Sequence, residues 1–206
     1  MGDVLYEILQ LAGILAFAIS GALVGVRRRL DILGVAVVGA FTGVGGGILR
    51  DALLGVHPPL SFLHWENLAV AVAGSLVVFF LHPGITRIRY FEVVFDAFGL
   101  GLFSAGGAAA AYTDGQSVLT SILVGTITAI GGGVIRDVLV NTVPGVLTRE
   151  LYAVSAIVGA ATAVVILVLG GHEALASFVG GAVAIALRLT SVAFGWHLPR
   201  PRVATA

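Results

Sequence analysis

The chain contains no cysteine, no lysine and a single methionine, and it has few charges of either sign. Without cysteine there are no disulfides and no thiolate chemistry, and that absence leaves the compartment open. Charged residues make up 11% of the 206 positions, where a water-soluble domain of this length carries about a quarter. That scarcity excludes a solvated globular fold. No nucleophile–base set, phosphate loop or nucleic-acid surface can be found, so neither an enzyme nor a nucleic-acid binder is expected. What fills the chain is apolar: 58% of residues are hydrophobic, and the mean hydropathy is +1.07. The apolar runs are about 20 residues long, enough to cross a ~30 Å hydrocarbon core at 1.5 Å per helical residue. The sequence therefore reads as an all-α, multi-pass membrane protein. The opening "MGDVLYEILQ" lacks a basic n-region and enters a full span, so no cleavable signal is expected.

Seven spans are expected, at roughly 4–26, 31–54, 65–82, 91–112, 117–140, 150–169 and 174–195. Spans 3 and 6 are the cleanest by hydropathy. Because lysine is missing, orientation rests on arginine alone. Arg27, Arg28 and Arg29 fall in the first connection, Arg87 and Arg89 in the third, Arg149 in the fifth, and Arg200 and Arg202 in the tail. With Arg50 counted inside its span, the even-numbered connections have none. The expectation is an outside N-terminus and a cytoplasmic C-terminus in the cell membrane. Asp3, Asp114 and Glu173 fall on the opposite side, which agrees.

"TGVGGGILRD" at 42–51 returns as "TAIGGGVIRD" at 128–137, an offset of 86. The same offset carries Pro58 to Pro144, Gly13 to Gly99, Gly21 to Gly107 and Gly39 to Gly125. Eighty-six residues hold three spans, an odd number, so the second copy would enter the membrane upside down. The expected architecture is a single transmembrane domain. It comprises repeat one (about 4–82), repeat two (about 91–169), a seventh helix (about 174–195) and a tail, 196–206. Inverted repeats of this kind are a transport architecture, with the pathway at the repeat interface.

Gly39, Gly43 and Gly47 recur every four residues toward Asp51, and Gly125, Ala129 and Gly133 do so toward Asp137. Such a smooth strip suits close helix packing. Three adjacent glycines exceed what packing asks, because each interior glycine costs ~1 kcal/mol relative to alanine. Gly45, Gly46, Gly47 and Gly131, Gly132, Gly133 therefore suggest a kink or an open turn beside a water-filled path. Arg50–Asp51 and Arg136–Asp137 are adjacent, so their side chains leave the helix ~100° apart. Each is expected to reach another span, either locking the repeats or bracing a conduction path. Asp96, alone in "VVFDAFGLG", is either a further bracing charge inside the bundle or an interfacial residue. Its repeat mate is Gln10. Ser20–Gly21 and Gly106–Gly107 are matched small breaks in spans 1 and 4. The five histidines, His57, His64, His82, His172 and His197, lie at loops or span ends without metal-ligand spacing.

The doubled "GGGxxRD" on spans 2 and 5 of such a chain resembles the trimeric intracellular cation channel (TRIC) family, in its prokaryotic branch. The resemblance covers about residues 4–195. It implies a homotrimer in membrane lipid, with one pore in each protomer and no cofactor. The conducted ions would be monovalent cations, chiefly potassium, with sodium second. Carried over by position, the glycine triplets would be the kinks. Thr42, Arg50, Asp51, Thr128, Arg136 and Asp137 would line or brace the pore. Animal members carry basic lipid-binding residues near the pore, and the lack of lysine here argues against inositol-lipid regulation. Bacterial relatives with the same duplicated domain have been described as glycine transporters, which implies a small amino-acid carrier as the alternative. A membrane scaffold is a third reading, and it leaves the duplicated triplets unexplained.

Overall fold

The computed structural model describes residues 2–82, 88–148 and 150–199. Arg87, Arg149, Arg200 and Arg202, used above for orientation, lie outside the described residues, as do the side chain of Asp3 and residues 200–206 of the tail. Among the described residues eight α-helices follow one another: α1 Gly2–Arg27, α2 Ile32–Leu53, α3 Leu60–Leu63, α4 Trp65–Leu81, α5 Ile88–Thr113, α6 Val118–Leu139, α7 Tyr152–Val168 and α8 Glu173–Phe194. A 3-10 turn, Gly145–Leu147, precedes α7. Apart from the short α3, each helix coincides with an expected span to within about three residues. Five of them (α1, α2, α5, α6 and α8) are long and apolar enough to cross a membrane. The helices α4 and α7, at the cleanest apolar runs, have only 17 residues each.

The offset of 86 reappears in the backbone. Asp31 caps α2 by accepting the Gly34 N–H at 2.7 Å. Its mate Ser117 caps α6 by accepting the Thr120 N–H at 3.2 Å. Each oxygen satisfies an amide that the first helical turn leaves open. The turns match as well. Arg29 and its mate Gly115 have φ of 60° and 84°, and Gly55 and Asn141 have 73° and 53°. Chain reversal thus occurs through a left-handed residue at the same step in both copies.

Helices α1 and α5 pack together at the centre. Each also packs on the helix that follows it, α2 or α6, and these two meet across the middle. Helix α4 lies on α1 and α2, and α7 lies correspondingly on α5 and α6, while α8 rests mainly on α5 and α7. The central cluster includes Ile14, Phe17, Val44, Leu100, Phe103 and Ala129. Apolar side chains also cover the outside, with Leu33 69%, Phe80 67% and Leu119 67% exposed. A surface of that kind suits hydrocarbon rather than water. Small residues bring helices close inside the bundle: a methyl on Gly159 would sit 2.9 Å from the Gly180 carbonyl, and one on Gly180 2.6 Å from that of Gly159.

Candidate functional site at the crossing of the two glycine-rich helices

Both glycine triplets lie within uninterrupted α-helix, so the open turn expected there is absent. The glycines serve a crossing instead. A methyl at Gly46 would overlap the Thr128 carbonyl oxygen, and one at Gly132 would overlap that of Thr42. Their neighbours interlock in the same reciprocal way. A methyl on Gly45 would meet Ile135 Cδ1 at 2.6 Å, and one on Gly131 would meet Leu49 Cδ1 at 2.6 Å. A methyl on Gly133 would meet the Tyr152 hydroxyl at 2.8 Å, whereas one on Gly47 would meet only Ser61 Oγ, at 3.5 Å. The strip residues Gly39 and Gly43 point the other way, onto α1 and α4. Three glycines in a row thus let one helix meet partners on several sides at once.

Thr42 and Thr128 are fully buried. Their hydroxyls donate to the Val38 and Val124 carbonyls at 2.5 and 2.6 Å. Gly21 and Gly107 cover them, since a methyl on either would press against the facing threonine. Above the crossing stand Phe17 and Phe103, also 86 apart, with ring centroids at 5.4 Å. Phe17 lies over Gly99 and Phe103 over Gly13.

Each of the two arginine–aspartate pairs closes on itself, a contact not expected from the sequence. Arg50 Nε donates to Asp51 Oδ1 at 2.9 Å, and Arg136 Nε to Asp137 Oδ1 at 2.9 Å. The long arginine side chain curls back across the ~100° between adjacent positions. The second aspartate oxygen then accepts a loop amide: Leu60 N–H at 2.8 Å for Asp51 and Gly145 N–H at 2.7 Å for Asp137. Each pair therefore anchors the loop beyond its own helix. Only Arg136 also reaches other long helices. Its Nη1 donates to Asp96 Oδ1 at 2.6 Å and to Ser20 Oγ at 2.9 Å. Asp96 is fully buried and also accepts from the Tyr152 hydroxyl at 3.4 Å. Its side chain thus lies inside the bundle. With two acids against one arginine, this cluster has a formal charge of −1.

Open space lies on both sides of this knot. Two small cavities of about 10 Å³ each, room for about one water apiece, share Gln10, Arg50 and Phe103 as lining. Gly106, Gly107, Tyr6 and Ser177 border the first, and Gly43, Gly47 and Ser61 the second. Of the expected site residues, Gly47 and Arg50 thus face a cavity. The other end holds a cavity of about 410 Å³ lined by Arg27, Arg89, Glu92, Glu150 and Arg188. Gln10 and Arg27 are 17 residues apart on α1, about 25 Å at 1.5 Å per residue. In the larger cavity Arg27 pairs with Glu92. Arg188, 1% exposed, donates to the Glu150 carbonyl at 2.7 Å and lies 5.0 Å over the Tyr152 ring. The sequence reading passed over Arg188, Glu92 and Tyr152. Arg188 was visible as the one arginine of the seventh span. Among the described residues no cluster of His, Cys, Asp and Glu could hold a metal ion.

These features describe an all-helical membrane protein organised around two crossed, glycine-rich helices. The family model described as "Glycine transporter" matches residues 7–83 and 93–168, two stretches whose starts are 86 residues apart. The UPF0126 inner membrane protein YadS of Escherichia coli is 34% identical over 198 residues, 95% of each chain. A solved TRIC cation channel is 39% identical with a TM-score of 0.88, covering 97% of this chain and 98% of that one. A TRIC orthologue from Rhodobacter sphaeroides is 34% identical with a TM-score of 0.88, covering 92% and 98%. The chain belongs to this family, as a prokaryotic TRIC member.

Proposed function

We propose that the protein is a cation channel of the cell membrane, conducting monovalent ions and chiefly potassium. The observation that carries this reading is open space toward opposite ends of the bundle: two small cavities beside Arg50 on α2, and a larger one lined by Arg27, Glu92 and Arg188. The pathway runs between the two repeats. It is closed here by the crossing, the Phe17–Phe103 pair and the Arg136 cluster. Gly45, Gly46, Gly47, Gly131, Gly132 and Gly133, with Thr42 and Thr128, line it when α2 and α6 part. Arg50, Asp51, Arg136, Asp137 and Asp96 brace its two ends. The formal charge of −1 around Arg136 favours a cation over an anion. The structural neighbours named as TRIC channels support the same class.

In this reading seven helices cross the membrane. Helices α4 and α7, at ~25 Å, lie at the short end of the spanning range. The two repeats are then inverted, with the N-terminus outside and the C-terminus cytoplasmic, and three copies assemble. Cross-linking in mild detergent is expected to end at a trimer, and a ladder that stops at dimer contradicts the assembly. Single-channel recording of purified protein in a bilayer tests the function. Discrete ohmic openings that reverse near the potassium equilibrium potential are expected. The family model's description favours one other reading, a glycine carrier. Glycine uptake without unitary current would establish the carrier and overturn the channel.

A further inference from the structure

Tyr152 is the first residue of α7 and is 4% exposed. Three other helices meet its side chain. On α5, Asp96 Oδ1 accepts from its hydroxyl at 3.4 Å. On α8, the Arg188 guanidinium lies 5.0 Å over its ring, a cation–π contact that holds the ring in place. On α6, a methyl at Gly133 would come within 2.8 Å of the same hydroxyl, so the hydroxyl rests against the last glycine of the triplet. Asp96 depends on this arrangement. Its Oδ1 accepts from both Arg136 and Tyr152, while its Oδ2 is buried without a partner among the described residues. A carboxylate held through one oxygen keeps its orientation only while the donors to that oxygen stay.

Repeat one has a different arrangement. The offset of 86 puts Glu66 at the step of Tyr152, and Glu66 is exposed. Gly47, the mate of Gly133, borders a cavity with room for about one water. A methyl there would meet only Ser61 Oγ, at 3.5 Å, which is ordinary contact. The last glycine of the triplet is therefore backed by a buried hydroxyl on α6 and by open space on α2.

We propose that Tyr152 holds the crossing closed from the α6 side. It is a positioning residue: its hydroxyl orients Asp96 against Arg136 and seats on Gly133, and α6 parts from α2 when that contact is released. The proposal deepens the channel reading and rests on it for where the pathway opens. Its test reads the crossing whether or not current flows.

The purified full chain is used, which has no cysteine of its own. Thr128→Cys places a thiol of nearly the same size at a fully buried position of the crossing. Its rate of modification by a small water-soluble methanethiosulfonate reagent reports how often the crossing opens. Ser75→Cys, equally buried on α4, is the reference. Tyr152→Phe is expected to raise the rate at position 128 by about three- to tenfold, the worth of one hydrogen bond, and to leave position 75 unchanged. Gly133→Ala pushes the hydroxyl off its seat and should act alike, whereas Gly47→Ala should not. In the Tyr152→Phe background Gly133→Ala should add little, because both act through one hydroxyl. An unchanged rate in Tyr152→Phe overturns the proposal. So does an equal rise at position 75, which marks general loosening, or a Gly133→Ala effect that persists in full beside Tyr152→Phe. If Thr128→Cys does not fold, Thr42→Cys reads the crossing from α2. In a bilayer Tyr152→Phe should raise open probability at unchanged unitary conductance. Faster labelling at position 128 alone, without unitary current in either protein, supports the role of Tyr152 and overturns the channel.

Discussion

Arg50 and Arg136 stand at the same step of two copies of one unit, yet they live in different surroundings. Arg136 is 1% exposed and tied to α1, α5 and its own neighbour. Arg50 is 8% exposed, tied to Asp51 alone, and borders open space. Caps, turns and crossing glycines repeat, and the side chains around the two arginines differ. Asp96 stands opposite Gln10 and Ser20 opposite Gly106, and where one end has a closed cluster the other has a cavity. Duplication supplies the frame of a two-ended molecule, and divergence at a few polar positions gives each end its own behaviour.

The sharpest way to break that comparison is to remove each arginine in turn. Arg136→Leu leaves Asp96 and Asp137 buried against an apolar side chain, at a cost of about 3–5 kcal/mol. Denaturant titration in detergent is expected to show a protein that is barely folded. Arg50→Leu strands one acid whose second oxygen keeps the Leu60 amide, so its loss should be visibly smaller. Equal losses would contradict the asymmetry.

Next in size are the crossing glycines. Gly46→Ala and Gly132→Ala each push a methyl into a carbonyl oxygen of the facing helix. Each is expected to cost about 1–3 kcal/mol by overpacking, and by similar amounts because the contact is reciprocal. Gly106→Ala marks the small end of the scale. It meets open space and gains helix propensity, so a stabilisation of up to ~1 kcal/mol is expected. A mild Gly46→Ala beside a damaging Gly106→Ala would reverse the order.

Much of this was legible in the sequence, because a duplication announces itself by offset. The triplets, the arginine–aspartate pairs and the helix positions all follow from that register and from hydropathy. The use of the middle glycines was not. Reasoning from residues four apart assumes one partner per face, whereas Gly46 touches α6 while Gly43 touches α1 and α4. The self-closed Arg50–Asp51 and Arg136–Asp137 pairs were also hidden, since a helical wheel gives where a side chain starts and not where a long one ends. Arg188 escaped for a different reason: its mate by offset is Leu102, so a search guided by the repeat passes over it.

The most direct test of the central claim, that conduction passes through a crossing that must open, uses the absence of cysteine. A Cβ on Gly45 would lie 3.9 Å from the Cβ of Ile135, within the span a disulfide bridges. The double variant Gly45→Cys, Ile135→Cys is recorded in a bilayer before oxidation, after it and again after reduction. The expected result is unitary cation current that disappears as the cross-link forms and returns when it is reduced. Current that persists unchanged through complete cross-linking would contradict the account.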